Sequence, residues 1–249
     1  MKETLNVPLP EAELHHERKK EIYPEVETII NENENLKKAI EDYREKCDKY
    51  TVGHIFGDAN KSVLLGEYLD LDEEHKKYFI QAALLHDIGK TDPEISPIVK
   101  SQNGHLNQAE WEILQKHVRK SIEYAEKIGM PQEVLQIIGA HHEENNGKSY
   151  PRRADRRQTN ENFAGEDQRQ GERRQVPDEQ IKKIIHAFSL IDRFDAHFSD
   201  RSYKSEDSVE KACQILKSEF NSSEDLKMLE LLLEEREKQN YLENKELPN

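Results

Sequence analysis

Apolar residues along this chain return every three or four positions, block after block, and nowhere alternate with polar ones over the length of a strand. That period admits helices and leaves nothing to build a sheet from, so the expected fold class is all-α. Only 34% of the 249 residues are apolar and 35% are charged, which leaves room for one core diluted by polar segments. The helices carry a second constraint. Histidines and aspartates stand where the period calls for a core residue.

From Pro24, the series Val26, Ile29, Ile30, Leu36, Ile40, Tyr43 and Cys47 predicts one long amphipathic helix reaching about Tyr50. Its stripe can pack on the domain or pair with a second copy as a homodimer, and both readings stay open. Val52, Phe56, Ala59 and Val63 mark the next helix, which carries His54. Glu73 to His86 forms another, with Gly89 expected as the stop just past its end. Asn107 and Glu110 have capping-box spacing, and Trp111, Leu114, Val118, Ser121, Ala125 and Ile128 follow as one expected face. Gly129 stops that helix, and Pro131 starts one that runs through Val134 and Ile138 to His141 and His142. Ile181, Ile185 and Phe188 mark a helix continuing through Asp192. Two more are expected at Val209 to Phe220 and Leu226 to Glu237.

Between Arg152 and Gln175 the pattern collapses into arginines alternating with Asp, Glu, Gln and Gly, with Phe163 the only large apolar residue. Such a stretch cannot bury enough surface to offset chain ordering, so 152–175 is expected to be a disordered insertion. The domain reading is therefore 1–50 as an N-terminal extension with an amphipathic helix, and 51–249 as the main domain containing that insertion.

A net charge of −14 argues against a partner that is a nucleic-acid polymer, although a small anionic substrate is compatible with a locally positive site. Cys47 and Cys213 are far apart, which suits a reducing cytoplasm and neither a disulfide framework nor a zinc knuckle. No apolar run approaches the ~18–20 residues a membrane span needs. The N-terminus lacks a signal-peptide layout, so the expectation is a cytoplasmic protein with no membrane partner.

The chemistry concentrates in Leu84-Leu85-His86-Asp87-Ile88-Gly89-Lys90. An imidazole and a carboxylate side by side at the end of an apolar helix can reach two metal ions at once, the carboxylate bridging both. His54, His117, His141, His142 and Asp192 recur around them. His141 falls three residues after Ile138, His142 stands in similar register to Ile138 and Leu135, and Asp192 falls four residues after Phe188. A buried carboxylate without a partner is costly, and a cation is the usual remedy. Any one of these histidines alone is more often an ordinary core or surface residue, and Asp192 could pair with Arg193. Five histidines and two aspartates together are hard to explain that way. His15, His16, His75, His105, His186 and His197 lie in polar settings and are read as non-ligands. A ligand set of imidazole and carboxylate without thiolate favours two divalent ions, iron or manganese, with zinc less favoured. Two such ions can hold a phosphate ester for in-line attack, and Lys90, one turn past His86, can set a positive charge against the phosphate.

At this point the chain resembles the HD superfamily of metal phosphohydrolases, and within it the HD-GYP branch, over roughly residues 50 to 235. His86-Asp87-Ile88-Gly89-Lys90 is similar to the HD signature. His141-His142-Glu143, Gly147 and Tyr150-Pro151 resemble the second signature. Ile191 to Ala196, Asp200 to Lys204 and Gln102 to Leu106 resemble further blocks. The resemblance implies an HD-type helical bundle that hydrolyses cyclic di-GMP, giving linear pGpG and then GMP. It implies His54, His86, Asp87, His117, His141, His142 and Asp192 as metal ligands, and Asp87 and Lys90 as catalytic groups. Lys90, Arg201 and Lys204 would meet substrate phosphates, and Tyr150 the guanine side of the pocket.

Some positions depart from the pattern. Ser149 replaces the glycine before Tyr-Pro, Ser202 replaces the proline of Arg-Pro-Tyr, and the arginine-rich insertion directly follows Pro151. Three-metal relatives carry a glutamate one turn before the first histidine, where this chain has Tyr50, so two ions are expected. Two rivals stand beside this reading. One is an HD phosphohydrolase acting on a different nucleotide or cyclic dinucleotide. The other is a non-catalytic module that binds a dinucleotide or a protein.

Overall fold

The computed structural model describes residues 22–101, 106–142, 178–198 and 206–245, with the backbone alone for 206–208 and 240–245. Among the described residues every regular element is helical. In chain order these are α1 (Pro24–Asn31), α2 (Glu34–Lys46), α3 (Lys49–Tyr68), α4 (Glu73–Leu85), a 3-10 turn (Ile88–Thr91) and α5 (Ser96–Ser101). They continue with α6 (Gln108–Leu114), α7 (His117–Lys127), α8 (Gln132–Ala140), α9 (Glu179–Phe198), α10 (Glu206–Glu219) and α11 (Ser223–Lys245). Among the described residues no helix is long and apolar enough to cross a membrane. Tyr150, Arg201, Lys204, Ser149, Ser202 and the 152–175 insertion lie outside the described residues.

Helix α4 is the axis of the bundle. Asp72 caps its start, accepting from the His75 backbone N–H at 2.9 Å, and Glu73 and Glu74 add charges that suit the helix N-terminus. From Phe79 to Leu85 every residue is buried, because α3, α8, α9 and α1 pack around it. Phe79, Leu84, Leu85 and Phe188 are fully enclosed, each burial stabilising the fold by on the order of 2 kcal/mol. A helix buried on every side must stop inside the protein. His86 and Asp87 sit where it stops.

Three expectations about elements are corrected. The apolar spacing from Pro24 predicts one long helix, but the chain breaks it at Asn33 and again at Asp48. Asn33 turns extended (φ −132°) and its side chain accepts from the N–H groups of Asn35 and Leu36, so it starts a new helix. Asp48 does the same for α3, accepting from Tyr50 and Thr51. The stripe of α1 and α2 (Val26, Leu36, Ala39, Ile40, Tyr43) is buried within the chain's own core. The spacing from Asn107 likewise predicts one helix and one face. The capping box is present, but α6 ends at Leu114, α7 begins at His117, and Trp111 is 47% exposed. Finally, Gly89 does not cap α4, which ends before His86. Gly129 meets its expectation, with φ +79° just past α7.

Candidate metal centre

The end of α4 docks on the start of α7, and Gly89 makes that contact possible. A Cβ at Gly89 would lie 2.1 Å from the His117 carbonyl oxygen and 2.8 Å from the Ser121 nitrogen. Its backbone N–H donates to Ser121 Oγ at 2.9 Å. The contact is backbone against backbone, so only glycine fits, and it brings Asp87 beside His117.

Three of the histidines are set by one local device. Each gives its Nδ1 proton to the carbonyl three residues back: His86 to Ala83 at 2.8 Å, His117 to Leu114 at 2.8 Å, and His141 to Ile138 at 2.6 Å. A carbonyl only accepts, so Nδ1 carries a proton and Nε2 points inward. His54, entering from α3, gives Nδ1 to Asp195 at 2.7 Å, and Lys61 holds the other Asp195 oxygen at 2.7 Å. The Nε2 atoms of His54 and His86 then face each other at 3.2 Å, and those of His117 and His142 at 3.2 Å. His141 Nε2 is buried and meets no hydrogen-bond donor among the described residues.

Two carboxylates straddle this set. Asp87 turns Oδ2 toward His86 (3.4 Å) and His54 (3.8 Å) and Oδ1 toward His117 (3.3 Å). Asp192 turns Oδ1 toward His54 (3.4 Å) and Oδ2 toward His142 (3.5 Å). Lys90 reaches back to Asp87 Oδ2 at 2.5 Å. Arg193, the expected alternative partner of Asp192, pairs instead with Glu219.

The electrostatics follow from burial and these neighbours. Burial pushes His117 down to about 3 and takes His141 well below and His142 below the ordinary imidazole range, so all three are neutral. Burial also opposes charge on His54 and His86, but Asp58, Asp192 and Asp195 raise the first well up and Asp87 raises the second. Burial would raise Asp87 as well, yet Lys90 and His86 hold it well below the carboxylate range. Asp192 is held down by His54 and His142. Ionised carboxylates among inward-facing imidazole nitrogens are a donor set suited to cations. The residues therefore fit a metal centre, and they fall into overlapping donor groups: His54, Asp58, His86 and Asp192; His86, Asp87 and His141; His117, His141 and His142.

All seven expected ligands are brought together. Asp58, Asp195 and Lys61 were not singled out from the sequence. Helical spacing could have found them, since Asp58 is one turn after His54, Lys61 one turn further, and Asp195 one turn after Asp192. The histidines set aside as non-ligands have structural duties where described: His75 bridges Asp72 and Asp178, and His186 meets Asp225.

The HD domain family model matches residues 51–197, the stretch that supplies every one of these side chains. The chain belongs to the HD domain family. It is 26% identical over 176 residues to the 3'3'-cGAMP-specific phosphodiesterase 3 of Vibrio cholerae serotype O1, covering 71% of this chain and 33% of the relative. It is 29% identical over 202 residues to the 3'3'-cGAMP-specific phosphodiesterase 2 of the same organism, covering 80% of this chain and 33% of that relative. The chain thus spans about a third of the length of these curated relatives. Its fold is similar to that of the HD domain of the L. monocytogenes phosphodiesterase PgpH in complex with cyclic-di-AMP. That match has a TM-score of 0.50 at 15% identity and covers 85% of this chain and 98% of the other.

Proposed function

We propose that the chain is a metal-dependent cyclic dinucleotide phosphodiesterase of the HD-GYP type. Its expected substrates contain guanine, with cyclic di-GMP and 3'3'-cGAMP the two to compare. The observation that carries the reading is the inward-facing set of imidazole nitrogens straddled by Asp87 and Asp192. His54, His86, Asp87, His117, His141, His142 and Asp192 would hold two divalent ions, iron or manganese. When bound, the ions supply Lewis acidity toward phosphate oxygens and acidify a nearby water.

Around that centre the chain's own groups have separable duties. Backbone carbonyls and Asp195 hold the imidazole rings in one tautomer. Asp87 holds a full negative charge between the two halves of the centre. Lys90 neutralises part of that charge and lies where its ammonium can turn to a substrate phosphate. Arg201 and Lys204 are proposed for the phosphates, and Tyr150 for a guanine. Hydrolysis forms one bond from a water oxygen to phosphorus and breaks the bond from phosphorus to the ribose 3′ oxygen. The proton passes to that leaving oxygen, giving linear pGpG from cyclic di-GMP. A second hydrolysis would give GMP.

The test is a substrate panel on metal-replete protein prepared without oxygen, comparing cyclic di-GMP, 3'3'-cGAMP and cyclic di-AMP. The expected result is turnover of a guanine-containing member, with Asp87→Ala slower by more than about 100-fold, since it removes the group shared by both halves. Protein that binds the dinucleotides but cleaves none would favour a non-catalytic binding module.

A further inference from the structure

Asp58 is a buried acid that the expected ligand set does not use. It lies on α3 one turn after His54 and is fully enclosed, and it stands in a face otherwise made of Ile55, Ala59, Ser62 and Leu65. One oxygen, Oδ1, faces Lys61 at 3.4 Å. The other, Oδ2, accepts no hydrogen bond among the described residues. His54 Nδ1 is 3.6 Å away and gives its proton to Asp195, at 2.7 Å. A fully buried carboxylate oxygen without a donor is costly unless a proton or a cation neutralises it, and a cation is the remedy that the neighbouring donors suit. Donor atoms of Asp58, His54, His86 and Asp192 all lie within 4.8 Å of one another. Ligands on one ion with bonds of about 2.0–2.2 Å are separated by roughly 3–4.3 Å, so a modest contraction brings all four onto one ion.

We infer that Asp58 is a further metal ligand, completing with His54, His86 and Asp192 a site of two imidazoles and two carboxylates. The inference rests on the metal-dependent reading above and adds a residue and a chemical asymmetry to it. The half of the centre built by α3, α4 and α9 is rich in oxygen donors. The half built by His117, His141 and His142 has only nitrogen donors of its own, beside the oxygens of Asp87 and Asp192 that face both halves. Oxygen donors suit manganese and iron, whereas imidazoles hold later ions such as zinc more tightly. Asp58 therefore sets which ion enters the first half. Lys61, shared with Asp195, lies against the other Asp58 oxygen.

The experiment is calorimetric titration of chelator-stripped full-length protein with Mn²⁺, together with metal content after desalting. Wild type, Asp58→Asn and Asp58→Val are compared, with folding followed by circular dichroism. Wild type is expected to bind two ions. Asp58→Asn should keep one at unchanged affinity and hold the other more than about tenfold more weakly. Asp58→Val replaces the carboxylate by an apolar group of similar shape. It should raise the thermal midpoint of the stripped protein while shrinking the rise that Mn²⁺ produces. Two ions bound with wild-type affinity in both variants would overturn the inference. A wild type that binds no ion would instead overturn the metal-centre reading beneath it. Anomalous diffraction from Mn²⁺-loaded wild-type crystals answers the question without a variant. An Asp58 Oδ2–Mn separation of ~2.0–2.3 Å supports the role, and an oxygen outside bonding distance overturns it.

Discussion

His86, His117 and His141 are oriented by the backbone, because each hands its Nδ1 proton to a carbonyl of its own chain three residues back. His54 lies inside α3 rather than at a helix end, where the carbonyls behind it are already engaged in the helix. It needs Asp195, and Asp195 in turn needs Lys61. This difference decides which parts of the site were legible in the sequence. The histidines and Asp192 betray themselves by standing where the helical period calls for an apolar residue. Asp195 and Lys61 lie at helical spacing from Asp192 and Asp58, but only the packing of α9 on α3 makes them neighbours of each other. The prediction at this scale concerns Asp195→Asn. It keeps the size of the side chain but weakens the hold on His54 Nδ1 and leaves Lys61 with a poorer partner. Metal affinity should fall by about 10- to 100-fold while far-ultraviolet circular dichroism stays unchanged. A Mn²⁺ titration matching wild type would show that His54 needs no such support.

Among the elements, the existence of helices was plain, and their breaks were not. Apolar spacing runs on across residues 31–34 and 114–117, so periodicity alone joins α1 to α2 and α6 to α7. The deciding groups are single caps such as Asn33, whose side-chain oxygen ends one helix by starting the next. Gly89 shows the other limit, since a glycine after a helix reads as a stop, and its close approach to α7 appears only in three dimensions. Gly89→Ala places a methyl against backbone that cannot step aside, and we expect destabilisation of about 1–3 kcal/mol in chemical denaturation. A second element-level prediction concerns His75, which joins the cap of α4 to Asp178 before α9. Burial lowers its affinity for a proton, but Asp72 and Asp178 outweigh that and raise it above the ordinary 6.5. A raised folded value means the contribution is fully present below pH 6.5 and is lost as pH rises through the higher folded value. The partners are largely exposed, so the loss should be under about 1 kcal/mol. Thermal midpoints measured across that window should fall less in His75→Gln than in wild type.

At the scale of the whole molecule, the stripped protein encloses ionised Asp87 and Asp192, with Asp58 beside them, among inward-pointing imidazoles, in a chain whose net charge is already −14. Cations that bind the folded chain and not the unfolded one stabilise it by mass action, about 2.7 kcal/mol for each site at a hundred times its dissociation constant. Two sites would then add roughly 5 kcal/mol, equivalent to a rise of roughly 10–20 °C in thermal midpoint for a domain of this size. Two is the number the centre suits. Asp87 and Asp192 each face both halves, so two ions would share them, and the remaining donors would divide between one half and the other. A third ion would need donors beyond the first turn of α3, where Tyr50 stands 47% exposed with a lysine ammonium over its ring. We therefore expect two Mn²⁺ per chain by metal analysis, a large drop in midpoint on chelation, and its recovery when Mn²⁺ is restored. Tyr50→Glu serves as a gain-of-site control, because it puts a carboxylate one turn before His54. Three tightly held ions in the unmutated chain would mean that the centre extends beyond the donors named above, and a midpoint indifferent to chelation would mean that no ion is part of the fold.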